Sequence, residues 1–282
     1  MTENKTYTYS YPHPAVTTDC VIFGFDGSKL NVLLVERGIE PFKGSWVLPG
    51  GFMKIDETAE ECAARELKEE TGLEPSYMEQ LSAFSGVNRD PRERIVTIAF
   101  FALVRTSDVL GGDDAADARW WSIDELPPLA FDHEEILAQA IKVLREKVRV
   151  EPISFQLLDE EFTMPELQSI YEAILGVNFD RRNFSKKVLS LGIAEPIEQY
   201  KASALCDNDA AAPSCFMKSD KVGEALKPGK KTAWTSCKPA QPTKTMPHAK
   251  IGKSPRLFSF NQKKFDFIRK KKDNGTSMPF DF

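Results

Sequence analysis

Glu66, Glu69 and Glu70 stand three and four residues apart, a spacing that puts three carboxylates on one face of a helix. Carboxylates crowded in this way repel one another unless a cation sits among them. Hard oxygen donors on a rigid helix suit Mg²⁺ or Mn²⁺. The surrounding residues 51–73 read GFMKIDETAEECAARELKEETGL. Thr58 with Glu61 is a capping-box pair, so a helix is expected to start near residues 56–58. Gly72 follows the periodic run, where a left-handed C-cap is expected. Ala59, Cys62, Ala63 and Leu67 make the apolar stripe. Arg65 reaches Glu69 one turn on, or folds back to Glu57. Gly50 and Gly51, just upstream, let backbone approach a ligand closely. A glutamate-rich helix is also an ordinary solvated face. The Gly-Gly entry and the Gly72 exit favour the metal reading.

The same run fits every position of the Nudix box and resembles that of the Nudix hydrolases. In that family the loop-helix-loop binds divalent metals that bridge a diphosphate, and water attacks one phosphorus. The resemblance implies a catalytic set of Glu57, Arg65, Glu66, Glu69 and Glu70. Within it Glu66 and Glu70 are the first metal ligands, Glu69 the third, and Gly51 completes the metal set. Glu57 and Arg65 would pair to fix the loop. Three further stretches (VNRDPR at 87–92, GGDDAADARWW at 111–121 and LPPLAFDH at 126–133) resemble the ADP-ribose pyrophosphatase branch and the related Nudix transcription regulators. Arg89, Arg92 and Arg94 would meet phosphates through forked hydrogen bonds, with Gly50 and Gly51 completing the substrate-binding set. Each arginine reads equally well as a surface ion pair. His133 reads as structural, having no partner at metal spacing. Asp113, Asp114 and Asp117 are loop acids from which a general base would come, although such acids usually just face water.

Elements must position this box. Residues 19–25 and 30–35 are strand-like, with Asp26-Gly27-Ser28-Lys29 as the turn of a hairpin. Residues 95–104 (IVTIAFFALV) read as a buried central strand, and 119–122 as a short one. Helical spacing runs through 131–148 by way of Ile136, Ala140 and Leu144. Strands enclosing a motif helix, with a second helix closing, give an α/β fold: an α/β/α sandwich over about residues 15–148. The resemblance implies the Nudix fold over the same span.

The pattern changes near residue 151. Thr163 and Glu166 form a second capping box with Pro165 in the first turn. Leu167, Ile170, Tyr171 and Ile174 share a face, and Gly176 ends the helix. Asp180 caps another helix that stops at Gly192, with Phe184, Val188 and Leu191 inward. Arg181, Arg182, Asn183, Ser185, Lys186 and Lys187 supply a basic, polar surface suited to phosphates and base edges. Two short helices joined by a tight turn, the second of them basic, read as a helix-turn-helix or as a small docking module. Residues 193–197 and 256–260 are candidate wing strands. The segment YEAILGVNFDRRNFSKKVLSLGIAEP resembles the winged-helix domain of Nudix-related transcriptional regulators, which implies binding to double-stranded DNA. A polar stretch at about 200–250 replaces a short wing turn and has a disordered composition.

Length fits a domain at 1–150 and a small winged helix-turn-helix domain at 151–282. The first holds 16 Lys and Arg against 26 Asp and Glu; the second holds 21 against 16. An acidic front and a basic tail suit a catalytic or sensing domain joined to a part that meets an anion. No apolar run reaches membrane length, no secretion signal is visible, and five cysteines form no C-x-x-C pair. The expectation is a cytoplasmic homodimer. It would hydrolyse a nucleoside diphosphate derivative, ADP-ribose favoured, and bind DNA. The alternative is a regulator that senses a ligand without consuming it.

Overall fold

The computed structural model describes residues 8–75, 77–106, 118–197 and 256–266. Strand β1 (Ala15–Phe25) is buried on both faces and lies at the centre of the sheet. It turns at Asp26, whose carboxylate accepts from the backbone of Ser28 and Lys29, and returns as β2 (Leu30–Glu36). Short strands β3 (Trp46–Val47) and β4 (Gly50–Phe52) follow. After helix α1 (Ala59–Thr71) come β5 (Tyr77–Phe84), β6 (Ile95–Arg105) and β7 (Ala118–Ser122). The sheet runs β3-β2-β1-β6-β5, with β4 on β1 and β7 on β2. Only β1 and β6 pair in parallel among these strands.

Alternation along β1 separates two cores, because successive side chains leave a strand on opposite faces. Cys20 and Ile22 pack with Ala63 and Leu67 of α1. Val21 and Phe23 pack in the cluster of Ile136, Leu137 and Leu144, from helix α2 (His133–Val148). This is the α/β/α sandwich expected from the sequence. Helix α1 starts at Thr58 with both arms of its capping box made, and ends on left-handed Gly72. Cys20 and Cys62 are free and buried in this layer.

Two expectations change. Gly50 and Gly51 lie in a strand rather than an open loop, paired with Asp19 and Thr18 of β1. The strand β5, which carries Glu79 and Gln80 and is half-buried, is absent from the sequence reading.

Beyond a 3-10 turn at Ile153–Leu157 come β8 (Glu161–Thr163), α3 (Met164–Leu175), α4 (Arg181–Leu191), β9 (Ala194–Pro196) and β10 (Leu257–Phe260). The capping box at Thr163, the left-handed caps Gly176 and Gly192 and the Asp180 cap all form as expected. β10 pairs antiparallel with β9, as the wing reading requires, and also with β8, a third strand the sequence does not announce. The stretch at about 200–250 and Asp113, Asp114 and Asp117 lie outside the described residues.

The described residues belong to one compact unit. The α2-side core continues without a break through Phe155, Phe162, Tyr171, Phe184 and Phe258. Arg145 of α2 adds a polar tie, donating to the Ile174 carbonyl in the last turn of α3 at 2.8 Å. Phe162→Ala should therefore cost about 3–5 kcal/mol, the usual range for a buried phenylalanine. It should lower a single cooperative transition on denaturation. Two separate transitions would contradict the shared core.

His133 opens α2 and is buried. Its Nδ1 accepts from the Leu48 N–H at 2.9 Å, which fixes the link between β3 and β4. Burial, reinforced by the Arg89 charge, pushes its pKa below the ordinary value of 6.5. The folded chain then binds fewer protons than the unfolded one. Stability should fall as pH drops from the ordinary histidine value through the lower folded one. Melting temperature measured against pH should show this loss, and His133→Asn should flatten it. An equal slope in both chains would contradict the buried neutral imidazole.

Candidate functional site

A cleft of about 280 Å³ opens where β4 meets the ends of β1, β2 and α1. Its floor is built by the box. Glu70 is fixed from its place on α1, where it accepts from the Gly50 N–H at 3.0 Å. Among the described residues no cation lies within ion-pair distance of it. Burial, then the charges of Glu66, Asp19 and Glu69, push its carboxyl up to about 7. Gly51 is required by the neighbouring carboxylate: a Cβ there would stand 2.4 Å from Glu66 Oε1. Gly50 is required by β1, because its Cβ would stand 2.0 Å from the Thr18 carbonyl oxygen. Both glycines line the cleft, and each makes room first for the protein's own atoms.

Arg65 holds the rest of the box. Its Nε and Nη2 fork onto Glu57 at 2.9 and 2.6 Å, and its Nη1 meets Glu66 at 2.6 Å and Glu69 at 3.2 Å. Both alternatives read from the sequence are thus made at once. The hydrogen bonds from Arg65 hold Glu57 down at about 2. Glu69 is the outer member, its side chain 58% exposed.

The structure gathers Glu66, Glu70 and Gly51 at one junction and leaves Glu69 at its edge. Among the described residues, no three His, Cys, Asp or Glu side chains converge closely enough to hold a metal. The donor chemistry does fit a hard divalent cation: carboxylate oxygens on a rigid helix, with Glu70 half-buried and without an ion pair among the described residues.

The three arginines expected to bind phosphate take different places. The Arg89 side chain is buried and forks onto Asp132 at 2.7 and 2.8 Å, with Asp19 at 3.2 Å. It lines the cleft, but its guanidinium serves two carboxylates. Arg92 also lines the cleft, forked onto Asp90 and stacked over the rings of Phe52 and Phe131. Arg94 is not among the lining residues and donates to the carbonyls of Ser85 and Gly86.

Sequence reasoning misses Arg37. It follows β2, lines the cleft, and stacks over Phe131 at 5.1 Å. Burial and the charge of Arg92 lower its pKa from the usual arginine value. Its only signal in the sequence is a lone cation ending an apolar strand.

On the winged portion, Arg181, Arg182, Asn183 and Lys186 are exposed along α4, while Phe184 and Val188 are buried beneath. Ser185 and Lys187 are half-buried, and the Ser185 hydroxyl is turned back to the Arg181 carbonyl. None of these cations makes an ion pair among the described residues. No helix among them is long and apolar enough to cross a membrane.

Comparison with known proteins gives two family matches: the NUDIX domain over residues 13–140, and the NrtR DNA-binding winged helix domain over 154–204. The ADPR responsive transcriptional repressor NtrR of Acinetobacter baylyi is 36% identical over 196 residues, covering 68% of this chain and 78% of the relative. The ADP-ribose pyrophosphatase of Methanocaldococcus jannaschii is 44% identical over 128 residues, covering 45% of this chain and 73% of the relative. The crystal structure of Shewanella oneidensis NrtR complexed with a 27mer DNA matches with a TM-score of 0.64 at 26% identity, covering 89% of this chain and 95% of that one. The chain belongs to the Nudix family, in the group that joins a Nudix domain to an NrtR-type DNA-binding winged helix.

Proposed function

We propose that the chain is a two-function protein: its Nudix cleft binds and hydrolyses a nucleoside diphosphate derivative, ADP-ribose favoured, and its winged helix docks on double-stranded DNA. The observation that carries the first part is Glu70, a half-buried carboxylate in the cleft with a backbone N–H as partner and no cation within ion-pair distance among the described residues. Glu66, Glu70 and the Gly51 carbonyl would hold Mg²⁺ or Mn²⁺, with Glu69 as the outer ligand. A bound divalent ion would neutralise diphosphate charge and polarise a phosphoryl oxygen. Arg65 and Glu57 position the box by clamping the segment before α1 to its second turn. Arg92 faces the cleft to meet phosphate, and Gly50 and Gly51 keep its floor low. Arg89 acts by bracing Asp19 and Asp132. The ADP-ribose pyrophosphatase relative and the ADPR responsive repressor relative both support ADP-ribose as the ligand.

A second reading, a sensor that binds without turnover, is favoured by one observation. Arg65 holds one oxygen of Glu66 and one of Glu69, which offsets their charge and weakens their pull on a metal ion. Release of AMP and ribose 5-phosphate from ADP-ribose, with Mg²⁺ and with chelator, separates the two. We expect metal-dependent release that falls at least about a hundredfold in Glu70→Gln, the scale of losing electrostatic stabilisation in a transition state. No release, with ADP-ribose still raising the melting temperature, would establish the sensor.

For the winged helix, Arg181, Arg182, Asn183 and Lys186 are the exposed face, flanked by Ser185 and Lys187, and α4 would lie in the major groove. Two copies would suit palindromic half-sites. Arg181→Ala with Arg182→Ala should weaken binding to operator DNA. The slope of log affinity against log salt should shrink by about 1–2, roughly one for each phosphate that is no longer neutralised. Filter or anisotropy titration across salt would read this. An unchanged slope would remove α4 from the interface.

A further inference from the structure

The cleft has a second end that the box does not explain. Arg37 leaves β2 and folds over the ring of Phe131, its Cζ 5.1 Å from the centroid. Arg92 approaches the same ring at 5.8 Å. Two guanidiniums therefore flank one aromatic side chain, and all three groups line the cleft. Phe131 itself holds a φ of 57°, a left-handed conformation that a bulky side chain rarely adopts, and Phe42 packs edge-on against it at 4.9 Å. Such a conformation persists only where the surroundings enforce it, and it clusters at ligand clamps.

The two cations differ in their partners. Arg92 is answered by Asp90, which takes both arms of its fork. Arg37 spends its Nε on the Pro41 carbonyl at 2.6 Å and makes no ion pair among the described residues. Its Nη2 is buried and has no hydrogen-bond acceptor among them. A buried donor left without an acceptor is costly, and a charged one more so. In a cleft, the group that relieves this cost is an anion carried by the ligand. The guanidinium fork matches phosphate oxygens in particular.

We propose that Arg37, with Arg92 and the Phe131 ring, forms a phosphate subsite that holds a diphosphate oxygen of the ligand without help from metal. The proposal rests on the reading of the cleft as a nucleoside diphosphate site and adds a binding residue that the box does not contain. Among the described residues, Glu70 on the floor of the cleft makes no ion pair, and neither does Arg37 on its wall. A diphosphate meets Arg37 directly and meets the floor through a divalent ion. Arg37 is a specificity residue for diphosphates in this scheme, and ligand would be retained when metal is removed.

Calorimetric titration in EDTA tests this, with ADP-ribose and inorganic pyrophosphate as probes. The chains are the parent, Arg37→Ala, Arg37→Lys and, as a distant charge control, Lys142→Ala. We expect the parent to bind both probes, Arg37→Ala to weaken both at least tenfold, Arg37→Lys at least threefold, and the control less than twofold. If the alanine chain does not fold, the lysine chain is read alone, because it keeps the charge and loses only the fork. Losses under twofold in the Arg37 variants would overturn the subsite and leave the cleft reading intact. A loss for ADP-ribose but not for pyrophosphate would also overturn it, because Arg37 would then be reading another part of the ligand. Binding by the parent only with added Mg²⁺ would overturn metal independence. No binding of either probe under any condition would overturn the cleft reading itself.

Discussion

Charge packed into this cleft must be answered by opposite charge, and the local structure follows from how that is done. Burying an unpaired ionised group costs several kcal/mol even after relaxation, so a carboxylate buried at the cleft needs a cation or a shifted pKa. Arg65 answers Glu57, Glu66 and Glu69, and in doing so clamps the start of α1. Arg89 answers Asp19 of β1 and Asp132 at the head of α2, tying strand to helix across the cleft wall. Arg92 answers Asp90. Glu70 is left with a backbone N–H, and Arg37 with a backbone carbonyl. These two incomplete pairings face one cavity, and the proposed ligand answers both, with a cation for one and an anion for the other.

The same helix that walls the cleft also reaches the winged portion. Asp132 and His133 hold the head of α2 to Arg89 and Leu48. Further along the helix, Arg145 donates to the last turn of α3. Between these points α2 lies in a core shared with Phe155, Phe162 and Tyr171. Helix α2 thus joins the cleft wall to α3, on which α4 packs through Tyr171 and Phe184.

What is legible in the sequence is local. Both capping boxes, the Asp180 cap and the glycine stops at Gly72, Gly176 and Gly192 are decided by residues within a turn of one another, and all form as read. The apolar runs of β1 and β6 are equally plain, because burial on both faces leaves little alternation to misread. β5 and β8 are not legible. The first is half-buried and polar in its middle, and the second is three residues long; each exists because a partner strand lies beside it. The arginines show the same limit. Arg89 reads as a phosphate ligand, but Asp19 and Asp132 lie 70 and 43 residues away, and spacing along the chain does not reveal that they claim its fork. Arg37 escapes notice for the opposite reason: what marks it out is an acceptor that the described residues do not provide.

A crystal of the chain grown with Mn²⁺ and ADP-ribose, with anomalous scattering recorded at the manganese edge, tests the central claim directly. The account predicts anomalous density against Glu66, Glu70 and the Gly51 carbonyl, and the diphosphate lying between that density and Arg37. Manganese away from the box, or a diphosphate that leaves both Glu70 and Arg37 without new partners, would contradict it.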